Sequence, residues 1–354
     1  MALQKKPYLI IPFLVEQPTW GGEYICGMKG WLQKENLIGK KIGQSYELYG
    51  KSLLAAEITS SNDSRFGPDI KNAFPISIFA EERPFPLIKF TQAKGNSFQL
   101  HRKPEVNDAH WEPKAESWYF FEEGNITFGL KKGIEINKYK EICILINNEM
   151  NKLSRLIANK QISLGYAEQQ AKKYIQEKNP WKFVNEYTVK KGCVVDLSGG
   201  GLHHSWEENA SNPLGNIVYE VQQDVMDPVS TLRSFDQGKF KADGTVRDLQ
   251  IEDYFKFIDT DEKRNTLTIV KNENDYIFDT TYYSLKSLSI SENKEMESAT
   301  SFHHIFVKEG EVRIVDQNTN EIFVGRGHSC FIPKGLKYNI STKTQSIMLL
   351  TFLR

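Results

Sequence analysis

The sequence has few cysteines, no excess of either charge and no long apolar run. Four cysteines are scattered over 354 residues, and this spacing is typical neither of a cysteine-based zinc cluster nor of a disulfide framework. The 45 basic side chains balance the 45 acidic ones, which excludes a general electrostatic attraction to nucleic acid or to anionic membranes. No stretch approaches the ~18 apolar residues that a transmembrane helix needs. These absences favour a globular protein of a reducing compartment.

The N-terminal segment does not have the pattern of an export signal. Lys5 and Lys6 precede a short apolar run, but Pro7 and Pro12 interrupt it and no small-residue cleavage site follows. We therefore expect a cytoplasmic protein whose first apolar run enters a β-strand. We also expect a monomer or weak homodimer.

Strand-like and helix-like segments alternate along the chain. Residues 8–130 contain short runs of Val, Ile, Phe and Tyr between Gly, Pro and Asn clusters such as Ser61-Asn62-Asp63, which predicts antiparallel β-structure. Residues 134–179 have apolar side chains at steps of three and four, which predicts an amphipathic helix and a second helix over 167–177. Strand texture returns at Trp181. The polar stretch 237–248 marks a boundary between units 1–240 and 245–354.

One glycine spacing occurs twice. It runs from Gly192 to His203 and again from Gly327 to Tyr338, and it resembles the second signature of the cupin barrel, G-x5-P-x-G-x2-H. This resemblance implies a mainly β fold of two cupin-type (jelly-roll) barrels with a helical insertion over 134–179. Because Tyr338 replaces the histidine in the second copy, we expect a catalytic unit 1–240 and a degenerate barrel 245–354.

A polar stripe crosses an apolar strand near residue 100. Ser97, Gln99 and His101 alternate with Phe98 and Leu100, so on a strand the three polar side chains share one face. An edge strand with one hydrated face would have the same pattern.

Further residues extend this stripe into a candidate metal site. Lys114 and Glu116 again place two ionisable groups on one face, and of the adjacent His203 and His204 only one can join a given site. The cupin spacing selects His203. Two imidazoles, a carboxylate and an amide oxygen suit a catalytic zinc with an open position, and manganese, iron or cobalt would fit nearly as well.

An ordered set of segments resembles the type I phosphomannose isomerases (mannose-6-phosphate isomerases). These are zinc-dependent cupin enzymes that interconvert mannose 6-phosphate and fructose 6-phosphate. The matching segments are Pro12-Phe13, Trp20-Gly21-Gly22, Gly43 to Leu48, Pro86 to Lys89, Ser97 to His101, Lys114 to Tyr119, Gly200 to His203, Glu220 to Gln223 and Thr231 to Asp236.

The resemblance implies a role for each matching residue. The implied ligands of one zinc ion per chain are Gln99, His101, Glu116 and His203. Residues implied beside the substrate are Ser97, Lys114, the active-site arginine Arg233 and the pocket carboxylate Glu220. Isomerisation through an enediol needs an electrophile and an acid/base group, and the base would be Glu220 or an unligated imidazole.

Some features depart from the family pattern. Arg102 and Lys103 follow the ligand strand where the family has Pro-Asp-Asp, which adds positive charge near the predicted site, and the loop 205–216 looks enlarged. A sugar-phosphate-binding cupin without activity, or a metal-dependent cupin with oxygen chemistry, therefore stay as alternatives. His303 and His304 are expected to pack or face solvent rather than to bind a second metal.

Overall fold

The computed structural model describes residues 4–34, 36–55, 73–79, 84–198, 201–205, 212–270 and 276–354. Those residues form 24 strands and five α-helices. The predicted turn at residues 61–63 and residues 206–211 of the loop 205–216 lie outside them. The mainly β prediction is confirmed.

The strands fall in two groups along the chain. The strands before residue 240 are β1 (Tyr8–Ile11), β2 (Phe13–Glu16), β3 (Ile42–Leu48), β4 (Leu53–Ala55), β5 (Ala73–Pro75), β6 (Leu87–Ala93), β7 (Phe98–Leu100), β8 (Glu116–Phe120), β9 (Gly124–Leu130), β10 (Val184–Val189), β11 (Val194–Asp196), β12 (His203–Ser205), β13 (Asn216–Gln222) and β14 (Leu232–Phe235). The later ones are β15 (Ile269–Val270), β16 (Tyr276–Asp279), β17 (Tyr283–Ile290), β18 (Lys294–Glu297), β19 (His303–Glu309), β20 (Glu311–Asp316), β21 (Glu321–Gly325), β22 (Ser329–Ile332), β23 (Lys337–Ser341) and β24 (Ser346–Leu353).

The helices concentrate in the middle of the chain. They are α1 (Tyr24–Met28), α2 (Ile136–Ala158), α3 (Leu164–Lys178), α4 (Asp227–Ser230) and α5 (Ile251–Phe257). Helices α2 and α3 match the predicted helical segment, because Ile142, Ile146, Met150 and Leu153 form the buried stripe of α2. In the described part of the chain no helix is long and apolar enough to cross a membrane.

The strands form four antiparallel sheets, and the helices add a fifth layer. The sheets have the orders β10-β9-β12-β7-β14, β15-β11-β8-β13-β6-β3-β2, β16-β17-β24-β19-β22-β1-β4-β5 and β18-β23-β20-β21. Helices α2, α3 and α5 cover the outer face of the five-stranded sheet, and apolar clusters join each sheet to the next in the order given. The seven-stranded and eight-stranded sheets therefore pack back to back in the centre of the molecule.

The strand order repeats between the two halves. The order β10-β9-β12-β7 corresponds to β21-β20-β23-β18, and β11-β8-β13-β6 corresponds to β22-β19-β24-β17. The repeated glycines begin corresponding strands, and Gly192 (φ 82°) and Gly327 (φ 80°) both have the left-handed conformation that favours glycine. The two cupin-type (jelly-roll) barrels stay a prediction, because in the described residues no sheet closes into a barrel and each half is an open sandwich of two sheets. We call them the first and second sandwich.

Four strands depart from the division along the sequence, because β1, β4 and β5 join the eight-stranded sheet and β15 joins the seven-stranded sheet. β1 pairs with β22, with Tyr8 opposite Phe331 and Leu9 opposite Cys330, so the start of the chain completes a sheet of its C-terminal part. The units 1–240 and 245–354 stay a prediction, and the sheets do not separate at that boundary.

Candidate active site

A pocket of about 630 Å³ opens at one end of the first sandwich. Strand β7 contributes to it as the alternation of its side chains predicts, because Phe98 and Leu100 pack under the helices while Ser97, Gln99 and His101 line the pocket. The floor comes from β6, β8 and β13 of the seven-stranded sheet.

Three buried side chains converge beside this pocket. His101 lies at the end of β7, Glu116 on β8 and His203 on β12, and their ligand atoms lie within 4.8 Å of one another. Strand register explains the convergence, because His203 lies opposite Gln99 on β7. All three side chains are almost completely buried.

The two imidazoles are oriented in the same way. The Nδ1 of His101 lies 2.8 Å from the carbonyl oxygen of Ser230, and that of His203 lies 3.3 Å from the carbonyl oxygen of Gly201. A carbonyl only accepts, so each Nδ1 carries the proton and each Nε2 faces the cluster. The Nε2 of His101 lies 2.8 Å from the Glu116 carboxylate, and the Nε2 of His203 is buried without a partner among the described residues. Metal-binding histidines are held in this way.

The protonation states also suit a metal. Burial and the neighbouring His101 lower the pKa of His203 to about 3, so this imidazole is neutral at physiological pH. Burial would raise the pKa of Glu116, but Lys114 and His101 outweigh it and hold the pKa well below its usual value. The second carboxylate oxygen accepts from Trp118 Nε1 at 2.7 Å. A carboxylate and two imidazoles are donors that Zn²⁺ and related ions prefer, so these residues fit a metal.

Gln99 lies beside this cluster. It is opposite both His203 on β12 and Arg233 on β14, and its half-buried side chain lines the pocket. This position is compatible with the predicted fourth ligand, whose role stays a prediction.

Two predicted cations share one carboxylate at the pocket wall. Lys114 Nζ lies 3.9 Å from Glu116 and 3.4 Å from Asp227. Arg233 contacts the other oxygen of Asp227 at 3.3 Å and donates to the Ser97 hydroxyl at 3.1 Å. Asp227 thus holds both cations in fixed positions beside the candidate metal site.

Glu220 forms a buried ion pair on the pocket floor. Its carboxylate lies 2.6 Å from Lys89 Nζ and accepts from Gln222 Nε2 at 3.1 Å. Burial opposes the charge on Lys89, but the Glu220 carboxylate outweighs it and raises the pKa of Lys89 above its ordinary value. Gln222 lies opposite Glu116, so β13 places Glu220 and Gln222 beside the strand that carries Glu116.

A second group of cations lines the same pocket. Lys239, Lys241 and Arg247 lie in the segment that follows β14, and Asp236 pairs with Arg247 at 3.5 Å. Lys239 donates to the carbonyl of Gly95 at 2.8 Å. We call these three cations the cationic rim.

Comparison with solved structures gives extensive matches. The chain is similar to the mannose 6-phosphate isomerase of Bacillus subtilis, with TM-score 0.66, 16% identity and 98% and 99% of the two chains covered. The putative mannosephosphate isomerase of Archaeoglobus fulgidus matches with TM-score 0.64 at 15% identity over 100% and 99% of the two chains. A zinc-bound mannose 6-phosphate isomerase matches with TM-score 0.62 at 12% identity over 97% and 98%.

The chain has the fold of the mannose-6-phosphate isomerases. The predicted resemblance is thereby confirmed at the level of structure. Comparisons of the sequence with protein-family models and with curated proteins find no match.

Within the mannose-6-phosphate isomerase fold, one expectation from the sequence is wrong. Arg102 and Lys103 do not add charge to the pocket described here. The Arg102 guanidinium is buried and donates to the carbonyl of Trp111 at 2.6 Å, and Lys103 pairs with Asp259. The strand turns away after His101, so these side chains lie outside the pocket lining.

The sequence interpretation missed several pocket residues of this fold. Lys89 was part of a matching segment without a role, Asp227 was not predicted as a site residue, and the cationic rim had no motif. The signal for Lys89 is its place opposite Glu220, which becomes visible only once β6 and β13 are paired.

Proposed function

We propose that the chain is a zinc-dependent aldose–ketose isomerase that interconverts mannose 6-phosphate and fructose 6-phosphate in a cupin-type first sandwich. One observation carries the proposal: His101 and Glu116, which form a buried cluster with His203, line the same pocket as the cationic rim. A metal site can hold the reacting end of a sugar while the rim holds its phosphate.

The metal would be held by His101, Glu116 and His203, with Gln99 as the fourth ligand. When bound, zinc supplies a Lewis acid that polarises the carbonyl and hydroxyl oxygens of the sugar. The chain itself keeps the ligands ready, because both Nδ1 protons are engaged by backbone carbonyls and Glu116 stays ionised.

Glu220 is the proposed base that moves the proton between C2 and C1. The sequence left two candidates for the base, Glu220 and an imidazole that does not bind the metal. The imidazole that lines the pocket is that of His101, and its Nε2 faces Glu116 as a metal ligand would. Glu220 is therefore the candidate that we propose. Lys89 holds this carboxylate on the pocket floor at 2.6 Å, in a position from which it can accept a proton.

Lys114 and Arg233 are proposed to stabilise the negative charge that develops on the enediol oxygens. Both are held in place by Asp227 before substrate arrives, so little reorganisation is needed during the reaction. The Ser97 hydroxyl fixes the Arg233 guanidinium from the other side.

The cationic rim is proposed to bind the phosphate group. Lys239, Lys241 and Arg247 give the pocket a local positive charge although the chain as a whole has none. A phosphorylated sugar therefore meets opposite charge at one end and metal ligands at the other.

The test is an activity assay over a small panel of hexose 6-phosphates with zinc-loaded protein, with and without chelator. We expect conversion of mannose 6-phosphate and fructose 6-phosphate in both directions, loss of turnover with the chelator, and recovery when zinc is restored. Protein that binds zinc but converts neither sugar contradicts the proposal. Binding of the sugar phosphate without turnover, unchanged in Arg233→Ala, would instead indicate a binding protein.

A further inference from the structure

The second sandwich packs against the back of the strands that carry the site. Within β8 and β13, side chains alternate between the pocket and the interface of the two central sheets. Glu116 and Glu220 face the pocket, whereas their neighbours Ser117, Tyr219 and Val221 face the eight-stranded sheet.

Tyr283 of β17 crosses this interface. Its hydroxyl lies 2.7 Å from the carbonyl oxygen of Val221 and 2.8 Å from the hydroxyl of Ser117. Ser117 and Val221 are directly opposite each other on β8 and β13, so one phenolic oxygen joins both strands. Tyr283 and Ser117 are completely buried.

The hydrogen-bond directions at this oxygen are fixed. The Val221 carbonyl only accepts, so Tyr283 donates its single proton there and the Ser117 hydroxyl must donate to Tyr283. Burial raises the pKa of Tyr283 well above its ordinary value, so the phenol keeps this proton. Because this interface is buried, removing the phenol oxygen leaves the Ser117 hydroxyl and the Val221 carbonyl without a water molecule to replace it.

A second bridge starts at Tyr219, two residues before Val221 on the same face of β13. The hydroxyl of Tyr219 lies 3.0 Å from Nδ1 of His304 and 3.2 Å from the hydroxyl of Thr351, both in the eight-stranded sheet. Glu220 is therefore flanked on both sides by residues that are hydrogen-bonded to the second sandwich.

We propose that Tyr283 is a positioning residue for the candidate site: through Ser117 and Val221 it sets the relative position of Glu116 and Glu220. This gives the second sandwich a part in the function, and the inference rests on the proposed metal site. Groups that orient metal ligands from outside typically contribute 10- to 100-fold in metal affinity or activity.

The test is Tyr283→Phe, studied first by metal binding and only then by activity. We expect Zn²⁺ affinity to fall by about 10-fold or more, with a changed visible spectrum of the Co²⁺-loaded protein and a lower kcat at little changed KM. Tyr338→Phe is the matched control. It also removes one buried phenolic hydroxyl, which lies 2.6 Å from His303 inside the second sandwich, so it should lower only the melting temperature.

The double variant Tyr283→Phe, Ser117→Ala separates positioning from stability. Removing both hydroxyls restores part of the stability, because one unsatisfied group is gone, but metal affinity should stay low. A Tyr283→Phe protein with a lower melting temperature and wild-type Zn²⁺ affinity and Co²⁺ spectrum would overturn the inference. Wild-type protein that binds no metal would instead remove the proposed function.

Discussion

The first and second sandwiches have the same strand order but differ at every position of the candidate metal site. Aligned through Gly192 and Gly327 and the strand registers, three of the four positions lose the residue type predicted to bind metal, and the fourth has a histidine in place of a glutamate. The pairs are Gln99 with Met296, His101 with Ser298, Glu116 with His303, and His203 with Tyr338.

The space between the sheets differs accordingly. In the second sandwich an apolar cluster includes Tyr338 and packs Met296 against it, and the hydroxyl of Tyr338 is engaged by His303. In the first, the apolar cluster stops at Trp118 and Val218, and the pocket begins beside them. The same framework therefore serves either as a filled core or as a polar pocket, depending on a few inward side chains.

The largest expected effect comes from His203→Ala. Loss of this ligand should reduce bound metal from about one ion per chain to background and abolish turnover, because a three-donor cluster loses a member. Metal analysis of the purified protein measures it. His303→Ala in the second sandwich is the control and should cost only about 1–3 kcal/mol of stability. If both variants lose metal alike, the contrast between the sandwiches fails.

Arg233→Ala should have the next largest effect. Arg233 lies on β14, which pairs with β7, whereas the corresponding β18 has a free edge in the described sheet. We expect turnover to fall by about 10²–10³-fold with metal content unchanged, as steady-state kinetics and metal analysis will report. Arg313→Ala, which removes a half-exposed cation paired with Glu321 in the second sandwich, should leave turnover near wild type. Full activity in Arg233→Ala would take this residue out of the site.

The smallest effect concerns acid stability. His304 corresponds to Ser117 in the first sandwich, and burial with nearby Lys29 lowers its pKa to about 3. An unfolded histidine has a pKa of about 6.5. Between these values the unfolded chain binds the extra proton, so the free energy of unfolding decreases as pH falls from 6.5 towards 3.

His304→Asn should therefore flatten this dependence. We expect a slope smaller by about 1.4 kcal/mol per pH unit between pH 6 and 4, measured by urea unfolding of metal-free protein at constant ionic strength. Ser117→Ala changes no titratable group and should keep the wild-type slope. An unchanged slope in His304→Asn would show that this histidine does not titrate on unfolding.

Local patterns predicted the parts of the fold that depend on neighbouring residues. The apolar period of Ile142, Ile146, Met150 and Leu153 predicted α2, and the alternation around Gln99 predicted which side chains share a face. The glycine spacing predicted the internal repeat. Each of these signals is contained in one short stretch of the sequence.

Features that depend on register between distant strands were not predictable in this way. The Lys89–Glu220 pair and the Tyr283 bridge join strands that are far apart in sequence, and a shift of one residue would turn every side chain to the other face. Arg102 was misjudged for a related reason, because its direction depends on how the chain leaves β7. The open sandwiches likewise follow from pairing that no single segment encodes.

The pairing of β1 with β22 has a consequence for how the protein is made. Tyr8 and Leu9 leave the ribosome long before their partners Phe331 and Cys330. The eight-stranded sheet can therefore be completed only after β22 has been made, and closing so long a loop is slow. Until then, the apolar Tyr8–Ile11 segment has no partner on that side, so the nascent chain needs protection from aggregation while the intervening strands are synthesised.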